Sequence, residues 1–264
     1  MFENLSHLFR TRLFKKKGAE ATSSAGTEHF SHQGTCDICE DKVTFTAQHS
    51  YFRDHLLCSA CGSIPRERAL MRVIKQFFPN YAELRIHESS PVGRGVSKRL
   101  ADECPSYSSS FLLENVALGQ VDTQSGRRCE DLERLTFDDE QFDLLVTQDV
   151  VEHVFDPNAA FLEIGRVLKP GGAHIFTVPL VNGTKASERR ANRTSSGEIE
   201  HYMDPDYHGD PTSPDGALVT MNWGFDLASS IISETGMPTI IVQIDDLDAG
   251  IRAELIEVVV SFKP

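Results

Sequence analysis

Two Cys-x-x-Cys pairs, Cys36/Cys39 and Cys58/Cys61, stand 18 residues apart in the first quarter of this 264-residue chain. Each pair puts two thiolates on one side of a tight turn. Two such turns meeting through a hairpin make the tetrahedral sulfur set that structural Zn2+ takes. With sulfur at all four corners no position is left for water, so the expected role is structural rather than catalytic. Metal-free thiols or two disulfides are the alternatives. The first residues lack the apolar core and small-residue cleavage site of a secretion signal, which favours a reduced, cytoplasmic setting and metal.

A second set of reactive types is His, Asp and Tyr. Residues 201–210 read HYMDPDYHGD, with His201 and His208 as candidate proton acceptors. Residues 149–154 read DVVEHV; on a helix starting near Asp149, Asp149 and His153 are i and i+4 and share a face. A reaction at an oxygen nucleophile benefits from a general base, often His, Asp or Glu, so Asp149, His153, His201 and His208 are the catalytic candidates. The bland alternatives are a His153 packed on the sheet and a loop whose polar groups satisfy its own turns. The same side chains are chemically able to hold a divalent ion, but no defined ligand spacing marks one. Arg66, Arg68 and Arg72 lie on one predicted helix and read as an acceptor-binding face or a solvated one.

The elements that must position these groups alternate strand and helix. Apolar runs at 142–147 and 173–178 flank a helical stretch and a Lys-Pro-Gly-Gly turn, about the minimum for a right-handed parallel crossover. Further strands are expected at 84–88, 106–113, within 127–132, at 239–244 and at 255–261. Helices are expected after Gly93, from Pro65 to before Pro79, and over 225–235. This is an α/β chain with a parallel sheet. Residues 182–222 are too long for an ordinary connection and read as an insertion. In the ribbon, 43–45 and 51–57 are the expected hairpin strands. Residues 1–35 divide into a basic helix (Phe2, Leu5, Leu8, Phe9, Leu13 with Arg10, Arg12 and Lys15 to Lys17) and a flexible linker. That helix is either packed on the protein or in contact with a membrane surface through 2–17. The expected organisation is thus 1–35, then ribbon and connecting helix over 36–80, then the main domain over 81–264.

The wording of residues 129–179, EDLERLTF…FDLLVTQDVVEHV…RVLKPGG, resembles the central part of class I S-adenosylmethionine-dependent methyltransferases of the type 11 kind. The resemblance implies a Rossmann-like sheet with helices on both faces and S-adenosylmethionine as cofactor. It implies that Glu88 and the turn with Ser89, Gly93 and Gly95 hold the methionine end. It implies that Asp131 accepts the adenine amino group beside Leu132, and that Gln148 and Asp149 face the reactive end. The usual Gly-x-Gly-x-Gly run is absent, with Ser90, Pro91 and Val92 in part of its place. No clean ribose-binding acid ends the second strand, and Glu114 is the nearest. Asp131 is also readable as a helix N-cap.

A net charge of −13 argues against nucleic acid as the main partner. Residues 36–75 carry six Lys/Arg against five Asp/Glu, no basic patch. The function expected is methyl transfer to a small-molecule or glycan-like acceptor by in-line displacement. The alternatives are an RNA methyltransferase that uses the ribbon for recognition, and a non-catalytic partner-binding protein that has lost cofactor affinity. A nicotinamide enzyme is set aside by the missing Gly-x-Gly-x-x-Gly.

Overall fold

A computed structural model describes residues 30–210 and 212–264. The basic helix expected over 2–17 lies outside the described residues. Among those described, no helix is long and apolar enough to cross a membrane.

The ribbon is a three-stranded antiparallel sheet of β1 (Phe30–Thr35), β2 (Lys42–Ala47) and β3 (Leu57–Cys58). The end of the expected linker is therefore a strand, with Phe30 opposite Ala47 and Thr35 opposite Lys42. The expected return over 51–57 is mostly a helical turn, α1 (Phe52–His55), and only Leu57 and Cys58 pair with β2. Helix α2 (Pro65–Phe77) begins as its sequence dictates. Pro65 suits the first helical position, and the Glu67 carboxylate accepts the free amide of Ile64 at 3.1 Å.

The main sheet follows: β4 (Ile86–Ser89), α3 (Gly95–Glu103), β5 (Tyr107–Phe111), β6 (Arg128–Cys129), β7 (Phe142–Gln148), α4 (Pro157–Val167) and β8 (Leu168–Thr177). Residues 182–222 form short hairpins from β9 (Glu188–Arg189), β10 (Ala191–Arg193), β11 (Ile199–His201), β12 (Tyr207–His208), β13 (Ala217–Leu218) and β14 (Met221–Asn222). Helix α5 (Leu227–Thr235), β15 (Thr239–Val242) and β16 (Val258–Phe262) close the chain. The seven strands lie in the order β15-β16-β8-β7-β4-β5-β6, and β16 runs antiparallel to both of its neighbours. This is a Rossmann-like sheet, parallel apart from its β15-β16 edge, with helices on both faces. Alternation along the central strands feeds two cores. Leu144, Val146, Ile175, Val258 and Val260 face α2, α3 and the ribbon; Leu145, Phe176 and Val259 face α4 and α5.

One expected element is displaced. No helix starts at Asp149, which sits at φ +52° and turns the chain sharply. The helix begins at Pro157, where Asp156 caps it by accepting the Ala159 amide at 3.1 Å. Asp149 and His153 therefore do not share a helical face.

The three arginines of α2 and its start form neither an acceptor face nor a solvated one. Arg68 is fully buried and donates to the carbonyls of Leu56, Ser63 and Gly250, the first at 2.8 Å and the last at 2.7 Å. Arg72 bridges Asp37 of the ribbon and Asp246 near the end of the main domain. Arg66 pairs with Asp54 and Asp149. Ribbon and main sheet consequently share one apolar core that runs from Cys36 and Phe45 to Ile86 and Val260. Truncating Arg68 strands three buried carbonyls at once. Arg68→Ala should lower unfolding free energy in urea by more than about 3 kcal/mol, with Arg68→Lys recovering only part because it lacks the planar fork. A loss below about 0.5 kcal/mol would show that the arginine does not join the two parts.

Candidate active site

Strand order reverses between β4 and β7, since β5 and β6 extend the sheet on one side of β4 and β7 and β8 on the other. Ligands of open α/β sheets bind outside the carboxyl ends of the strands at this point. Glu88 and Gln148 face each other there. Gln148 Nε2 donates to Glu88 Oε1 at 2.8 Å, Ser97 Oγ donates to the same oxygen at 2.6 Å, and the Tyr107 hydroxyl donates to Oε2 at 2.8 Å. Burial pushes the Glu88 carboxyl up, and these three donors oppose that. Both carboxylate oxygens are occupied, so Glu88 braces the site's floor. Gln148 Oε1 is left buried with no hydrogen-bond partner.

The turn over residues 89–95 is built for close approach. Ser89 is buried as the last residue of β4, and Ser90 adopts φ +57° while its amide donates to Ser110 O at 2.8 Å. Gly93, at φ +69°, faces open space, whereas a Cβ on Gly95 would stand 2.3 Å from Glu67 Oε2. Gly95 itself sits at φ +52°, a conformation that favours glycine, and packs against the Glu67 side chain of the connecting helix. Glu67 Oε1, also buried, has no hydrogen bond and lies 3.2 Å from the Arg94 guanidinium.

Next along the edge, Glu114 is exposed three residues beyond β5. Asp131 follows β6 in a turn, with Oδ1 accepting the Glu133 amide at 3.0 Å. This local bond is of the capping kind, although a turn and no helix follows. Leu132 is buried in the core on the α4 side of the sheet. A cavity of about 410 Å3 opens nearby, walled by Glu133, Phe155, Asp156, Arg189 and Arg193 among others.

Asp149 is fully engaged. Its Oδ2 accepts from Arg53 at 2.6 Å and lies 3.2 Å from Arg66 Nε, and its Oδ1 accepts the Thr177 hydroxyl at 2.9 Å. Burial alone would push its pKa up; the Arg53 and Arg66 guanidiniums more than reverse this and leave it lowered to about 2. Such a group does not take protons at neutral pH, so the geometry withdraws Asp149 as a general base. It clamps the ribbon to the strand tip instead.

Three residues on, the structure gathers a group that the sequence pattern did not single out. The Glu152 carboxylate is buried, and neither oxygen has a hydrogen-bond partner. His153 Nε2 lies 3.8 Å and His208 Nδ1 3.7 Å from Glu152 Oε1, with the two rings edge to face at 5.1 Å. The carboxylate beside it raises the His208 pKa against the opposing effect of burial. His201, on β11, is exposed and stands outside this cluster. Glu152 was hidden because a helix from Asp149 would send it and His153 in different directions; the observed turn does not.

In the ribbon, Cys36 and Cys61 sulfurs are 3.7 Å apart and Cys39 and Cys58 sulfurs 3.8 Å, all four within 4.8 Å of one another. A tetrahedron with Zn–S bonds of about 2.3 Å has edges of about 3.8 Å, so the four thiols fit zinc. Four thiolates around Zn2+ leave net negative charge, and Arg68 is the buried cation beside them.

Residues 107–176 match the family described as methyltransferase domain. Among solved structures, the chain is similar to an S-adenosylmethionine-dependent methyltransferase from Mesorhizobium loti (17% identity, 74% of this chain and 98% of that one, TM-score 0.48). It is also similar to such an enzyme from Thermotoga maritima (16%, 75% and 89%, TM-score 0.45) and to the YcgJ protein of Bacillus subtilis (15%, 66% and 70%, TM-score 0.42). No curated protein matches the chain in sequence.

Asparagine keeps the shape of Asp149 and tolerates its left-handed backbone. Asp149→Asn leaves two nearly buried guanidiniums with only the more exposed Asp54 as counter-ion, so it should cost about 3 kcal/mol of unfolding free energy in urea at neutral pH. Because the carboxyl is depressed from 3.8 to about 2, the wild-type advantage should hold at every pH above 3.8 and fade as pH falls toward 2. An Asn variant as stable as wild type at neutral pH would refute the clamp.

Proposed function

We propose, from the methyltransferase domain at residues 107–176, that this protein moves a methyl group from S-adenosylmethionine to a small-molecule or glycan-like acceptor. The observation that carries the reading is the strand reversal between β4 and β7, which puts the turn over 89–95, Gln148 and Asp131 along one edge. Two buried oxygens without hydrogen bonds, Gln148 Oε1 and Glu67 Oε1, border that turn. Gln148 Oε1 suits a ligand ammonium such as the one on the cofactor's methionine end, whereas Glu67 Oε1 already faces the Arg94 guanidinium at 3.2 Å. Asp131 keeps a carboxylate oxygen for the adenine amino group, and Glu114 is the acid nearest the ribose position.

The cofactor supplies an electrophilic methyl on a sulfonium. The chain's own contribution is alignment, since in-line displacement gains most from holding the two reacting atoms in place. Ser97 and Tyr107 fix Glu88, Glu88 fixes Gln148, and the zinc-held ribbon fixes Asp149 through Arg53 and Arg66. The net charge of −13 supports an acceptor other than a nucleic-acid backbone. The insertion over 182–222 brings His208 to the strand-tip side and leaves Tyr202 and Tyr207 exposed, a surface suited to the faces of sugar rings.

Calorimetric titration of S-adenosylhomocysteine into the zinc-replete protein tests this. The wild type should bind in the micromolar range, and Asp131→Ala should weaken binding about tenfold or more, roughly 1.4 kcal/mol. A folded wild type that binds neither S-adenosylhomocysteine nor S-adenosylmethionine would overturn the reading in favour of a non-catalytic partner-binding role.

A further inference from the structure

The Glu152, His153 and His208 cluster is incomplete as an ordinary ion pair. A protonated histidine beside a carboxylate closes to hydrogen-bond distance, about 2.8 Å. Here both ring nitrogens stand off from the same oxygen by 3.7 and 3.8 Å, and the buried carboxylate has no donor at either oxygen. A buried carboxylate in that condition is costly unless a cation completes it.

The surroundings hold the three groups in this arrangement. Glu152 O accepts the Thr220 amide at 2.8 Å and the Thr220 hydroxyl at 3.0 Å, which pins the turn to the end of the insertion. His153 Nδ1 is 2.9 Å from the carbonyl of Leu218, which can only accept. Nδ1 therefore carries the proton, and Nε2 presents a lone pair toward Glu152. A ligating imidazole is oriented by the same kind of bond. His208 lies on β12 opposite Ala217 of β13, next to Leu218, so one hairpin sets both histidines.

We propose that Glu152, His153 and His208 bind a divalent transition ion of the zinc type, separate from the four-cysteine site. Two imidazoles and one carboxylate are its preferred donors. Bonds of about 2.0–2.1 Å in a tetrahedron put donor atoms about 3.4 Å apart, a few tenths of an ångström inside the distances seen. Three protein ligands leave a coordination position for an oxygen of the acceptor. That use rests on the methyltransferase reading; ion binding does not.

Cobalt distinguishes the two sites. Co2+ would be titrated into full-length protein whose four-cysteine site is filled with zinc. Expected is about one equivalent of Co2+ with the weak visible bands of a nitrogen and oxygen environment and without thiolate charge-transfer absorption. His208→Asn, on a partly exposed hairpin, should weaken binding more than about tenfold, and Glu152→Gln should do the same, with unfolding curves showing both variants folded. No such cobalt in the wild type, or wild-type affinity in both folded variants, would overturn the proposal. S-adenosylhomocysteine titration of the same samples separates the two readings. Cobalt binding without cofactor binding keeps this site and removes the methyltransferase role, and the reverse removes the site alone.

Discussion

The carboxylate of Asp149 ties the two halves of this molecule at the place where the main sheet reverses its strand order. It accepts from Arg53 of the ribbon and lies against Arg66 at the start of α2, while Thr177 of β8 holds its other oxygen. A charge this buried is tolerable only with its partners present. The ribbon is therefore part of the site's frame. Arg68 repeats the constraint deeper in the core, where it reaches the Gly250 carbonyl on the main domain and the thiolate cluster on the other side. Thiolate geometry, two guanidinium contacts and strand-tip shape form one mechanical chain.

The glycine pattern of the resembled family is altered here, and Gly95, at φ +52°, packs against Glu67 of the connecting helix. A helix from the ribbon module has taken a place beside the loop.

Much of this was legible in the sequence. The apolar runs at 142–147 and 173–178 became β7 and β8, and the paired cysteines met at distances zinc requires. These signals are local, carried by period, Pro and Gly placement, and spacing. Three features were not legible because they depend on partners far along the chain. Arg66, Arg68 and Arg72 share a helix period with solvated residues, and only tertiary contacts to Asp149, Gly250 and Asp246 show their use. The turn after β7 looked helical because it opens the crossover between two strands; the left-handed Asp149 and the Pro157 start overrode it. Of the four catalytic candidates, His153 and His208 converge on Glu152, Asp149 is spent on arginines, and His201 stays at the surface.

The ribbon, held by the zinc proposed for its four cysteines, shapes the strand tips. Hydrogen exchange by mass spectrometry, with and without a zinc chelator, addresses it directly, because local opening reports which segments share a cooperative unit. Removing zinc should speed exchange in residues 36–64 and equally in 148–154 and 246–256, the segments that Arg53, Arg68 and Arg72 hold. Faster exchange confined to 36–64, with the strand tips unchanged, would contradict the account and make the ribbon an independent appendage.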